Sequence, residues 1–565
     1  MSRPAEWRWT ALAVAVVLLA ATLPFLGCLG HSFLCWDDGI IILGQPFLRA
    51  LTPQNLWTIL CPFPPREEWL PLRDLSLALN FALFGAAPWS FALVNVLLHA
   101  AAAVASFFLF RALTGRRDAA LAGALLFACH AIHVESVAWL SGRKDPLHAL
   151  LLILALLAWV RFRDGRRGAW WLALGLFLLA LLSKASAIVF GPWLVAYDLF
   201  CLKEPRLGER PWRARILPLV PFALLGALHM VLYVRSTSAD GVIEPYPAGG
   251  LPTVLRTDLV VLTGYLRRLV WPREHQTIYE VTFRQALDPT VVTSAALLLG
   301  LATLLWRTRR RWPLASFAGA AGALSLLPYM NLIPHGIYLA ERYLYLPSLF
   351  LALVAGQAWD GLRRRAGRDS GRVLLVALAL WVGAHAALSA ARSRVWRDDE
   401  TFWRYQASQL PGSPTPLMNL AEAHETHQRW PEAAALYAEL AAREPVVPLA
   451  VFRLARVERQ LGRLTDAERD YRRYLRLAPD DPQGPNNLGE VLLRAGRPAE
   501  ALAVWRAAAA RFPDSLRTQR TLALALESTG ARAEARPHWE AVVRLARTVP
   551  DQPLAREARA HLARP

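Results

Sequence analysis

Asp37 and Asp38 stand side by side in "FLCWDDGIII" (33–42), between an apolar run and three isoleucines. Adjacent carboxylates without a basic neighbour in sequence either solvate an acidic turn or take protons in a reaction. Four other stretches carry residues capable of chemistry. "REEWLPLRDLSLALNFALFG" (66–85) holds Arg73 and Asp74, and "CHAIHVESVAWLSGRKDP" (129–146) holds His130, His133, Glu135, Arg143, Lys144 and Asp145. "LLSKAS" (181–186) contributes Lys184, and "NLIPHGIYLAERYLYLPS" (331–348) contributes His335, Glu341, Arg342, Tyr343 and Tyr345. Guanidinium and ammonium groups hold phosphate, and a carboxylate can take a proton from an acceptor hydroxyl. Together these types suit a site that handles a phosphate-bearing lipid. Singly, each basic residue has a plainer reading, since Lys and Arg at span ends reach for headgroups. His130-x-x-His133-x-Glu135 does not read as a metal site. A helix puts the two histidines on one face and Glu135 elsewhere, and no third ligand is evident.

The elements that must position these residues are apolar blocks. Of the 565 residues 55% are hydrophobic, and runs such as 10–29 and 289–306 are long enough to cross ~30 Å of hydrocarbon. Eleven spans are predicted, near 10–29, 91–112, 119–140, 146–162, 169–185, 187–202, 215–234, 289–306, 313–332, 343–360 and 372–391. With a cytoplasmic N-terminus, the basic connections "RALTGRRD", "RFRDGRRG", "CLKEPRLGERPWRAR", "RTRRRW" and "GLRRRAGRDSGR" all fall on the inner side. That parity puts Asp37, Asp38 and everything after 392 outside. The segment 255–272 would invert the order if it spanned, and it would bury Asp258, Arg267 and Arg268. It is read as an amphipathic helix at the outer interface.

The same topology accounts for the formal charge of +19 without nucleic acid as a partner. Five cysteines form no zinc spacing. Cys35 and Cys61 share one outer loop, where a disulfide and two free thiols both stay open. The first span reads as a retained anchor rather than a cleaved signal. Charges gather at span ends and not at mid-span, which argues against a transporter.

After residue 392 the chain repeats at 34 residues. Leu420, Leu454, Leu488 and Leu522 keep that spacing, as do Ala433, Ala467, Ala501 and Ala535, and Tyr437, Tyr471, Trp505 and Trp539. Gly462, Gly496 and Gly530 occupy the turn between paired helices, where Gln428 stands in the first unit. This is the tetratricopeptide pattern: four repeats over 415–550, a linker at 392–414 and a capping helix at 551–565. Such a solenoid binds extended or helical protein segments and supplies no chemistry of its own.

"WDD" after the first span, "HAIHVESVAWLSGRKD", "LLSKAS", "AERYLYLPS" and four terminal repeats resemble the transmembrane and tetratricopeptide repeat-containing O-mannosyltransferases and their bacterial relatives, of the GT-C class. The resemblance implies an all-α fold: a polytopic GT-C-like membrane domain over 1–391, then the tetratricopeptide solenoid. It implies transfer of a sugar from a polyprenyl-phosphate donor to an acceptor hydroxyl; the transfer is expected to invert, to move a hexose such as mannose, and to act on Ser or Thr of exported proteins held by the repeats. By position, Asp37 or Asp38 takes the role of the acidic residue in the first outer loop. Arg143, Lys184 and Arg342 are the expected phosphate contacts, with His133, Glu135 and Glu341 positioning them. A divalent cation, Mg or Mn, is possible beside the second aspartate, and no metal ligands are assigned. The family's "HPVH" is "HAIH" here, and its Glu after the Lys is Ala185, which leaves the substrate open. The expected place is a bacterial inner membrane, with site and repeats on the outer side. A glycan or lipid acceptor, and a non-catalytic scaffold, stand as alternatives.

Overall fold

The computed structural model describes residues 3–63, 66, 68–202, 213, 216–237, 245–272, 276–277, 279–333, 336–546 and 552–563. His335 and most of the 203–215 and 238–244 connections lie outside them. Among the described residues the secondary structure is helical, apart from one isolated bridge between Arg66 and Thr237. The chain divides into two compact units, Met1–Phe402 and Trp403–Pro565.

In the first unit every predicted span contains helix. Among the described residues, five helices are long and apolar enough to cross a membrane: Ala5–Gly30, Pro88–Thr114, Leu140–Arg163, Pro289–Thr308 and Arg368–Trp396. Arg117–Cys129 and Ala131–Ala138 form a pair bent by 44°, a sixth span if the two are counted as one. Ala169–Leu181, Ala185–Cys201 and Val220–Ser236 are shorter apolar helices. Leu297, Leu299, Val373 and Leu380 lie 57–69% exposed on the long outer helices. Apolar surface on that scale needs hydrocarbon around it. This is an integral membrane protein.

Two packings in this unit hold the elements around Arg342. The Arg117–Cys129 helix lies against Tyr345–Arg365, where Gly356 meets Gly123 and Ala119 so closely that an added Cβ would stand 2.5 Å from backbone atoms. Small residues let backbones approach where apolar burial gives helices no drive to associate. The Gly250–Val270 helix, read from sequence as amphipathic, turns Val254, Val261, Tyr265 and Leu269 inward and leaves Leu251, Leu255 and Val270 exposed. Its inner face packs on Ile132, Ala340 and Leu344. Tyr265 accepts the Ala340 amide at 3.2 Å, so this helix braces the segment that carries Arg342.

The second unit is the repeat solenoid. Its helix pairs are Thr415–Thr426 with Trp430–Ala441, Pro448–Gln460 with Leu464–Leu477, Gln483–Arg494 with Pro498–Arg511, and Leu516–Ser528 with Arg532–Leu545. Gln552–Leu562 follows as a last helix. The 34-residue alanines are buried, as are Tyr437, Tyr471, Trp505 and Trp539. Gly462, Gly496 and Gly530 all turn through positive φ, and Gln428 does so at 57°, a conformation that costs a side-chain-bearing residue about 1 kcal/mol. Arg453 and Arg456 pair with Glu422 and Glu425 of the preceding repeat, and Arg459 with Glu490 of the next.

Candidate active site

Four connections of the first unit meet at a cleft of about 440 Å³. They are the loop after the first span, the segment that leads into helix Pro71–Phe84, the turn Trp139–Lys144 and the strip Ile337–Arg342. Among the described residues, four cations line it (Arg66, Arg73, Lys144, Arg342), and so do three carboxylates (Asp37, Glu68, Asp74).

The two aspartates of "WDD" part company. Asp37 lines the cleft. Asp38 is wholly buried; one oxygen accepts the Ser141 amide at 3.0 Å and the Ser141 hydroxyl, and the other accepts the Leu34 amide at 3.0 Å. Burial pushes its carboxyl up to about 6, against the pull of those hydrogen bonds. Asp38 therefore ties the Asp37 loop to the 139–144 turn. That turn is tight: a Cβ on Gly142 would lie 2.9 Å from the Ser136 carbonyl. It delivers Ser141 to Asp38 and, three residues on, Lys144 to the cleft. Trp36 stacks on Trp139 with centroids 5.3 Å apart, which fixes the same junction from the apolar side.

Arg342 reaches the cleft from the far wall. Its side chain pairs with Glu135, its amide donates to Glu135 at 2.9 Å, and its guanidinium lies 5.7 Å from the Trp139 ring. Glu135 is completely buried behind it, a counter-ion rather than a second wall. Glu68 closes the near side. Its carboxylate accepts from Lys144 Nζ at 2.8 and 3.1 Å and from Arg73. Burial raises its proton affinity, but Lys144 and Arg73 outweigh that and hold it at about 2. Arg73 is in turn bound to Asp74 at 2.8 Å, and Arg66 stands 3.9 Å from the other Asp74 oxygen.

The remaining expected site residues line no part of this cleft. Arg143 is fully buried and donates to the side chains of Asn95 (3.2 Å) and Asn80 (2.7 Å) and to the carbonyls of Ser76 and Phe91. It locks two helices together. His133 donates to or accepts from Ser348 at 2.8 Å and packs on Phe127 and Tyr345. The helix expected through His130 and His133 breaks at His130, whose ring accepts the Ile132 amide and bonds the Leu269 carbonyl at 2.9 Å, so the two histidines do not share a helical face. Lys184 pairs with buried Asp145 beneath the stacked Tyr329 and Tyr343 rings. Glu341 is buried, 3.6 Å from Arg392 and 3.2 Å from the Tyr279 hydroxyl. Glu68 and Arg66 were not singled out from sequence. The stretch 66–85 that holds them is quoted above, but only for Arg73 and Asp74. The donor set does not fit a divalent ion, because Glu68 and Asp74 already carry cationic partners.

Residues 68–235 match the family described as dolichyl-phosphate-mannose-protein mannosyltransferase, and 418–482 and 486–553 match tetratricopeptide repeats. Protein O-mannosyl-transferase Tmtc1 of Drosophila melanogaster is 27% identical over 72% of this chain and 59% of its own length. Tmtc2 of the same fly is 34% identical over 44% of this chain and 28% of its own. The chain is similar to the TMTC protein O-mannosyltransferases. It spans about three fifths of Tmtc1 and less than that of Tmtc2. The first family match opens at Glu68 and takes in Arg73, Asp74 and Lys144, so most of one cleft wall falls within the matched region. ArnT from Cupriavidus metallidurans aligns over 77% of this chain and 80% of its own at 15% identity, with a TM-score of 0.37, too slight a likeness to carry weight.

Proposed function

We infer that the protein transfers a sugar, a hexose such as mannose, from a polyprenyl-phosphate donor to an acceptor hydroxyl, with inversion at the anomeric carbon. The acceptors are Ser and Thr of exported polypeptides, which the repeats bind. The observation behind this reading is the placing of one carboxylate, Asp37, in a cleft with Arg342 and Lys144. Asp37 takes the acceptor proton as the acceptor oxygen bonds to the anomeric carbon. The bond from that carbon to the phosphate oxygen breaks, and its electron pair leaves with the phosphate. Arg342 and Lys144 meet the growing charge there. Proton removal by a placed base contributes about 10²–10⁴ in rate. Charge parity supports a cleft on the outer side of a bacterial inner membrane, where polyprenyl donors and exported chains meet.

Intact-protein mass spectrometry of exported proteins tests this, comparing cells with the intact gene, a deletion and Asp37→Asn. Hexose-sized mass losses in the last two support the reading. Unchanged protein masses with a sugar missing from an envelope glycan or lipid would move the acceptor class. Unchanged masses and glycans throughout would overturn transfer.

A further inference from the structure

The cleft already holds an anion of its own. Glu68 bridges Lys144 and Arg73, and its side chain is the most open of the three, 30% exposed against 14% and 6%. It is ionised at every working pH, because the two cations hold its carboxyl at about 2. Arg73 is further neutralised by Asp74, so Glu68 and Asp74 leave this wall with little unmatched positive charge. Among the described residues of the lining, four cations face three carboxylates. Lysine is itself scarce here: the chain has three, at 144, 184 and 203, among 63 basic residues. Among the described residues, the groups around Glu68 are Arg73 and Asp74 from the following helix, Lys144 from the opposite turn and Tyr233, with Arg66, Asp37 and Arg342 elsewhere in the lining.

This matters for the two lipids that such a site meets. A polyprenyl-phosphate sugar is a phosphodiester and carries one negative charge. The polyprenyl phosphate left after transfer is a monoester, with a second pKa near ~6 and therefore close to two charges at neutral pH. A fixed carboxylate that holds Lys144 and Arg73 repels the second charge of the monoester as well as the first, and so disfavours the monoester more than the diester. We propose that Glu68 is the specificity-determining residue of the cleft: it sets the wall charge so that a singly charged phosphodiester is retained and the doubly charged phosphomonoester is expelled. The inference rests on the transferase reading above and adds how the site clears its product.

The test is equilibrium binding by the purified full-length protein in lipid nanodiscs at pH 7.5, with undecaprenyl phosphate and undecaprenyl-phosphate-mannose as probes. The wild-type protein binds the diester more tightly than the monoester. Glu68→Gln tightens the monoester about 10-fold or more relative to the diester, while Glu68→Asp, which keeps the charge, stays near the wild-type ratio. Equal weakening of both lipids in Glu68→Gln would make the residue merely structural and overturn the proposal. A wild-type preference for the monoester would overturn it without any variant. If the wild-type protein binds neither lipid, the donor-site reading itself falls, and the role of Glu68 falls with it.

Discussion

Asp37 and Asp38 are neighbours in the chain with opposite surroundings: Asp37 lines the cleft, whereas Asp38 is sealed behind it by Ser141 and Leu34. Successive residues of a tight turn point apart, so only one of the pair can face a substrate. Asp37→Asn is expected to lower transfer by about 10²–10⁴ with an unchanged melting temperature. A reconstituted assay with scanning calorimetry on the same preparation separates the two effects.

Asp38→Asn should act on the fold instead. Both Asp38 oxygens accept amide protons, and an Asn must set its NH₂ against one of them, at a cost of about 1–3 kcal/mol. The effect depends on pH. The folded-state value of about 6 lies above the ordinary 3.8, so the stability Asp38 contributes is complete below about pH 4 and is lost as pH rises through about 6. The gap in melting temperature between wild type and Asp38→Asn therefore narrows from pH 4.5 to pH 7. A gap that widens would contradict the burial argument.

Arg342 and Glu135 form a pair in which the carboxylate is wholly buried and the guanidinium nearly so. Removing Arg342 alone strands a buried charge, at a cost of about 3–5 kcal/mol. Arg342→Gln should melt well below wild type, and the double variant Arg342→Gln/Glu135→Gln should recover part of the loss. Neither should transfer sugar, since the cleft has lost its far-wall cation. A double-mutant cycle on melting temperature reads the coupling.

Arg143 invites a phosphate-binding role by residue type, but its donors are spent on Asn80, Asn95 and two carbonyls. A lysine cannot match that fork. Arg143→Lys is expected to cost about 2 kcal/mol or more in stability through unpaired buried acceptors. The surviving folded protein should show an unchanged KM for donor. A raised KM at unchanged stability would return Arg143 to the site.

Gly356 packs backbone to backbone on Gly123 and Ala119. Gly356→Ala forces the Tyr345–Arg365 and Arg117–Cys129 helices apart, because the atoms it meets cannot rotate away. A loss of about 1–3 kcal/mol follows. Activity should fall too, since Tyr345–Arg365 continues directly from the strip that carries Arg342. Thermal unfolding and transfer rate should decline together.

Sequence alone determined what depends on local period and composition. Apolar runs set where the helices lie, and a 34-residue register set the four repeats, down to Gln428 in the left-handed turn where later repeats have glycine. Both signals are local, so a single chain displays them. It also supplied the stretches from which the cleft is built, because charge beside an apolar span is conspicuous. Only the tertiary structure decided which charges face the cleft. Asp37 and Asp38 are indistinguishable as residue types, and so are Arg143 and Arg342; what separates them is the groups packed around them, since Ser141 seals Asp38 and Asn80 and Asn95 hold Arg143, all of them brought from tens of positions away or more. Glu68 shows the same limit from the other side. In sequence it is one acid in a polar run, and it acquires a role only when Lys144, brought from 76 residues along the chain, closes to 2.8 Å.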